Sequence, residues 1–215
     1  MSVELDRCHE EVPGDYYDRA LEENFGQRFW HQRRFLEAGI LLDQLKAENI
    51  LDLGCHGGRF TNEILLRSPK ASITGVDVSS PAIKFAQSKY PKIKFLVSHA
   101  QHLPFSSNYF DLVTCFEMLE HVDDPEVVLL EAHRVLKADG NFLVMVPVEE
   151  FLFRFIWFVW TKFGPGRVWR HVHVQKFNQK NLRVLLERSG FNLVREKKFL
   201  FGMLLLIQAR CRKAT

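Results

Sequence analysis

One eleven-residue stretch, ILDLGCHGGRF at 50–60, limits the fold more tightly than any other part of the chain. A short apolar run, a glycine-rich turn and the amphipathic continuation RFTNEILLR at 59–67 read as strand, loop and helix in immediate succession. The order then repeats, because SITGVDV at 72–78 is a β-branched run and SSPAIKFAQSKY at 79–90 has helical spacing. A strand that returns after a helix lies parallel to the first, so the chain is committed to a parallel sheet covered by helices.

Further apolar runs at 92–98 (KIKFLVS), 111–117 (DLVTCFE) and 141–147 (NFLVMVP) continue the alternation, with a helix expected over 125–137. Asp123 or Asp124 is placed to cap that helix, Pro125 suits its first turn, and Gly140 lies just past its end. An aromatic insert at 148–175 interrupts the rhythm. A helix at 178–190 then precedes two runs, 191–199 and 203–211, whose short separation at Phe201 and Gly202 predicts an antiparallel hairpin. The count is seven strands. Ahead of them, residues 27–47 place Phe29, Phe35, Leu36, Ile40, Leu42 and Leu45 at helical spacing behind an acidic arm. We therefore divide the chain into an arm and lid helix at 1–48 and a main domain at 49–215.

A chain of 215 residues with 47% hydrophobic content can bury a full core, which excludes a disordered tail or a stapled mini-protein. Cys8, Cys55, Cys115 and Cys211 form no C-x-x-C pair, so neither a zinc knuckle nor a disulfide framework is suggested. The start of the sequence lacks a basic region followed by an apolar run, and no stretch is apolar enough to span a bilayer. The expectation is a cytoplasmic protein.

The glycine-rich turn brings backbone close to a ligand, and the helix after it offers unpaired N–H groups to an anionic group. Nineteen positions after Gly58, the second strand ends in Asp77, where a carboxylate can accept hydrogen bonds from ribose hydroxyls. A nucleoside-containing cofactor is implied. A dinucleotide fingerprint laid from Gly54 would need glycines where His56 and Arg59 stand, so hydride transfer fits poorly.

With these residues the chain resembles the class I S-adenosylmethionine-dependent methyltransferases. Their first motif, acidic-x-Gly-x-Gly-x-Gly, maps onto Asp52, Gly54, His56 and Gly58, and the likeness runs on through LPFSSNYFDLVTCFEMLEHVDDPE and RVLKADGNFLVMVP. The resemblance implies an α/β, Rossmann-like, seven-stranded and mostly parallel sheet with helices on both faces and a C-terminal antiparallel hairpin. It also implies S-adenosylmethionine as cofactor. The backbone of Gly54, Cys55, His56 and Gly58 would hold its methionine end, Asp77 its ribose, Val78 one adenine face, and Ala100 with Gln101 the adenine edge. Two positions depart from the pattern: His56 replaces the middle glycine, and His99 stands where the family often has an acid.

EMLEH at 117–121 lies just past the fourth strand, where open α/β sheets place their sites. If the segment is helical, Glu117 and His121 share a face with Glu120 beside them. Two carboxylates and an imidazole suit a general base for an acceptor hydroxyl or a hard cation; a plain structural turn is the alternative. We take His121 as base or orienting group, supported by Glu120 and Glu117, and assign no metal site. The EMLEH run resembles the O-methyltransferases of ubiquinone biosynthesis, which implies a lipophilic small-molecule acceptor such as a prenylated phenol or another lipid. Methylation of RNA or protein, or a silent cofactor-binding scaffold, are the other readings. His171 and His173 alternate on one face of RHVHVQKF, and Tyr16, Tyr17 and Trp30 are candidates to close over the cofactor.

The charge is uneven. Residues 1–24 carry 2 basic and 8 acidic side chains, whereas residues 151–215 carry 14 and 2. Three of the four tryptophans fall between 151 and 170, interleaved with Arg154, Lys162, Arg167 and Arg170. That pattern fits an interfacial helix in contact with an anionic membrane, a hydrophobic lid, or a homodimer face. A nucleic-acid platform ranks last, because no recognised RNA-binding motif accompanies it.

Overall fold

The computed structural model describes residues 12–23, 25–148, 151–163 and 174–212. Two helices, α1 (Tyr16–Glu23) and α2 (Phe25–Leu42), lead into β1 (Asn49–Leu53), α3 (Arg59–Arg67), β2 (Ser72–Asp77), α4 (Ser80–Lys89), β3 (Lys94–Val97) and β4 (Phe110–Phe116). A 3-10 turn at Leu119–His121 precedes α5 (Pro125–Val135), β5 (Leu136–Pro147), α6 (Phe151–Phe163), α7 (Gln179–Arg188), β6 (Phe191–Phe199) and β7 (Leu204–Cys211).

The seven strands lie in the order β3-β2-β1-β4-β5-β7-β6. The first five pair in parallel, and β7 inserts antiparallel between β5 and β6. Because helices cover both faces, the central strands are buried almost without alternation. Successive residues of β5 and β7 feed opposite cores. Phe142, Val144, Leu205 and Ile207 meet α5 and α7, while Leu143, Met145, Leu204 and Leu206 share the other core with α2, α3 and α4. At one edge β3 has only four residues, and at the other β6 carries Arg195, Lys197 and Lys198, two ways of blunting an open edge.

Several boundaries differ from the sequence expectation. The helix expected over 125–137 ends at Val135, because Leu136 turns extended and Asp139 takes φ 59° within β5. Gly140 therefore sits in the strand instead of capping the helix. Asp124 is the residue that caps α5, accepting from the N–H groups of Glu126 and Val127. The helix expected over 27–47 is α2, which ends at Leu42, with the separate α1 ahead of it.

All parallel strands deliver their carboxyl ends to one edge, and the turn after β1 is built for close approach. Gly58 opens α3 at φ 77°, and a Cβ there would lie 2.7 Å from the Phe95 ring. The left-handed conformation alone costs an L-residue about 1–2 kcal/mol. Gly58→Ala is thus expected to lower the melting temperature by about 2–8 °C, read by circular dichroism.

Candidate functional site

The loop after β1 is held by the backbone and by one carboxylate. The N–H groups of Gly54 and Cys55 both donate to the Val76 carbonyl, at 2.9 and 3.0 Å, tying the loop to β2. Asp77 at the end of β2 then accepts from the His56 N–H at 2.8 Å and the Ser79 N–H at 2.9 Å. One side chain therefore fixes the starts of both crossovers.

Gly54, Asp77, Val78, Ala100 and Gln101 come together around a cleft of about 50 Å³ that His121 also lines. Gly54 takes φ 73°, and a Cβ on it would lie 2.6 Å from the Met118 side chain, so the cleft floor admits only glycine there. Two expected residues sit elsewhere. The Cys55 side chain turns into the core, where burial pushes its thiol up, so only its backbone belongs to the loop. Asp52 lies beneath the loop, accepting from the Thr61 hydroxyl at 2.7 Å and the Thr114 hydroxyl at 2.6 Å. His99 is exposed outside the cleft lining.

His56 departs from the glycine pattern, and the structure accommodates it with the N-terminal arm. Its backbone is left-handed at φ 44°, and its buried ring meets Tyr17 of α1 edge to face at 5.2 Å. A Cβ on the next residue, Gly57, would lie 2.0 Å from the Gly14 carbonyl. The arm is seated on the loop at the position where glycine is kept. Asp18 of α1 strengthens that seat through Lys89 at 2.6 Å and Arg59 at 3.7 Å.

Beyond the arm lies a second cavity of about 300 Å³, lined by Tyr16, Tyr17, Trp30, Phe153 and Trp157 on its apolar side and by Arg34, Glu117, Glu120 and His121 on its polar side. His121 lines both spaces and stands where they meet. The expected helical face of EMLEH does not form. Glu117 is left-handed at φ 50°, and the next residues enter a 3-10 turn, yet the cavity still gathers Glu117, Glu120 and His121. The buried Glu120 carboxylate stands 4.0 Å from His121 Nε2. The turn is also held from outside, because the N–H groups of Val174 and Gln175 donate to the Glu120 carbonyl at 2.9 and 3.0 Å. His171 and His173 lie outside the described residues.

Arg34 is the site residue that the sequence reading missed. It is buried on the core side of α2 with His31 and Ala38, and its guanidinium pairs with Glu117 at 2.6 Å while meeting His31 Nδ1 at 2.8 Å. Burial and the neighbouring Arg34 and Arg59 charges hold His31 well below its usual value, so the ring is neutral. The Arg34 Nε–H finds no partner among the described residues. Its signal in the sequence was its helical spacing, three residues after His31 and four before Ala38, both of which turn inward. Among the described residues no group of three or more His, Cys, Asp or Glu is arranged to hold a metal ion.

Residues 51–144 match the methyltransferase-domain family model. An uncharacterized methyltransferase of Synechocystis is 29% identical over 175 residues, 77% of each chain. The ubiquinone biosynthesis O-methyltransferase of Nitrosomonas europaea is 36% identical over 109 residues, 46% of this chain and 44% of that protein. Among solved structures, a methyltransferase from Methanosarcina mazei is 25% identical, with a TM-score of 0.64 over 81% of this chain and 98% of its own. A Haloferax volcanii complex of the Trm112 activator with a putative methyltransferase shares the fold, with a TM-score of 0.73, 19% identity, and 99% and 100% coverage.

Burial pushes the Asp52 carboxyl up to about 6, against the two threonine hydroxyls that pull it down. A folded-state value above the unfolded one means that the native protein binds the extra proton. The group's contribution to stability is therefore full below about pH 4 and is lost as the pH rises through about 6. Asp52→Asn removes that slope. Denaturant unfolding between about pH 4 and pH 7 is expected to show wild-type stability falling more steeply than the variant's, by on the order of 3 kcal/mol across the window.

Proposed function

We propose that this chain, as a class I S-adenosylmethionine-dependent methyltransferase, methylates a hydroxyl of a lipophilic small molecule, such as a prenylated phenol, near a membrane surface. The observation that carries this reading is the shape of the larger cavity: an aromatic sleeve from α1, α2 and α6 that ends at His121, beside the cleft after β1.

Two features of the site suit the cofactor. Glycine at 54 leaves the loop backbone uncovered at the cleft floor, and Arg34 brings a guanidinium to the cavity that meets the cleft at His121. Asp77 would hold the ribose, Val78, Ala100 and Gln101 the adenine, and the Gly54, Cys55, His56 and Gly58 backbone the methionine end. Arg34 and Glu117 form a pair of opposite charges matched to the carboxylate and ammonium of an amino acid. When bound, S-adenosylmethionine supplies an activated methyl group on a sulfonium, so the protein's work is alignment and exclusion of water.

At the junction His121 is the general base, positioned to take the acceptor's hydroxyl proton at a ring nitrogen. Glu120, 4.0 Å away and buried, stabilises the imidazolium that results. Glu117 acts through Arg34, and Asp52 acts from beneath by holding the loop through Thr61 and Thr114. The arm closes the space over His56, which keeps water from the reacting groups.

His121→Ala is expected to reduce kcat by about 10²- to 10⁴-fold while S-adenosylhomocysteine binding, measured by calorimetry, changes little. Arg34→Met should do the reverse in part, weakening that binding about tenfold or more. The acceptor class is tested by offering labelled cofactor to prenylated phenols in detergent and to short polar phenols and amines. Label appearing only in the polar set would overturn the lipophilic reading, and intact turnover in His121→Ala would remove the proposed base.

A further inference from the structure

The turn between β6 and β7 carries a phenylalanine where exposed turns usually carry small polar residues. Leu200 and Phe201 are both left-handed, at φ 51° and 58°, and Gly202 follows at φ 84°. Leu200 gains from the arrangement, since it packs into the core with Phe199 and Met203 while its carbonyl accepts the Met203 N–H at 3.1 Å. Phe201 does not. It is 84% exposed, in a conformation that asparagine or glycine adopts more readily.

The tip stands at the catalytic edge of the sheet. Leu204, the first residue of β7, pairs with Pro147, the last of β5, and the Met203 carbonyl accepts the Val148 N–H at 2.8 Å. Leu200 and Met203 share a core cluster with Phe153 and Trp157, which line the acceptor cavity from α6. Phe153 in turn meets Trp30 of α2, with ring centroids 6.4 Å apart. The tip, α6 and α2 are thus joined on their buried sides, and each turns an apolar side chain outward: Phe201, Phe158, and Phe25 with Phe29.

Charge says what such a rim faces. Residues 151–186 and 197–215 contain no acidic side chain. Part of the basic charge is spent inside the fold, because Lys197 pairs with Glu37, Arg183 with Glu196 and Arg188 with Glu126. On α6 Arg154 is exposed, and Lys162 lies 5.1 Å over the outward Phe158 ring. In a symmetric pair a second copy would bring the same basic face of α6 to this rim and be repelled, whereas anionic lipid headgroups are attracted.

We propose that Phe201 is an interfacial anchor, and that the β6–β7 tip and the outward face of α6 together seat the catalytic edge on an anionic lipid surface. Its purpose rests on the lipophilic-acceptor reading above, but its test does not. The full chain is sedimented with vesicles of phosphatidylcholine and phosphatidylglycerol, comparing wild type with Phe201→Asn, a substitution suited to the left-handed turn. The variant is expected to keep or raise the melting temperature, to bind S-adenosylhomocysteine as wild type does, and to lose about tenfold in vesicle affinity. Added salt should weaken the wild-type binding. Undiminished vesicle binding by the variant overturns the proposal. So does a wild-type protein that ignores the vesicles, or a variant altered only in self-association by sedimentation velocity. If the anchor holds while no lipophilic acceptor is methylated, the acceptor reading fails alone; methylation of a prenylated phenol in detergent by a protein that ignores vesicles fails the anchor alone.

Discussion

A carboxylate taken out of water must be given donors, and Asp52 draws its donors from the two elements that flank the cofactor loop. Thr61 reaches it from α3 and Thr114 from β4, so a single buried group on β1 ties strand, following helix and neighbouring strand together beneath the loop. Above it, Asp77 holds the loop's backbone from β2. The loop is clamped from below by side-chain hydroxyls and from the side by its own N–H groups. Neither clamp depends on a ligand, which is the condition for a preorganised site. The cost is a destabilised carboxylate at neutral pH, accepted in the one place where rigidity serves chemistry.

The N-terminal arm takes its logic from the same loop. A histidine at the middle glycine position would ordinarily crowd a ligand, but here the His56 ring is buried against Tyr17, and the neighbouring glycine receives the Gly14 carbonyl. Loop and arm are therefore complementary surfaces, and the ion pairs of Asp18 hold them in register. These pairs are partly exposed and individually weak, so the seat rests mainly on the packing of Tyr17 against His56 and of Gly14 against Gly57.

The alternation from residue 49 onward is enough to foresee the parallel sheet and its hairpin end, and the glycine-rich turn and the strand end point to Gly54 and Asp77. Val78, Ala100 and Gln101, which line the same cleft, were named through the family resemblance and not from local rules. Arg34 was not visible in that way, because burial of a cation is decided by a partner 83 positions away, Glu117, and helical periodicity treats it as a fault in the apolar stripe. The 3-10 turn at Leu119–His121 was read as a possible helix for a similar reason: the left-handed Glu117 that forbids it is set by the contact of its N–H with the Met145 carbonyl. The basic excess of the last third was legible as a number, yet its division into internal pairs and an outward rim needed the third dimension.

The hydrogen bonds from Val174 and Gln175 to the Glu120 carbonyl join the end of the aromatic insert to the turn that carries His121. Gln175 adds a further tie, donating through its side chain to the Asp123 carbonyl at 3.0 Å. On the reading proposed above, the turn that carries the base is thus held by the residues that end the insert. On that reading a longer or shorter insert shifts the base along with the pocket, so acceptor range and turnover become coupled traits on which selection acts together.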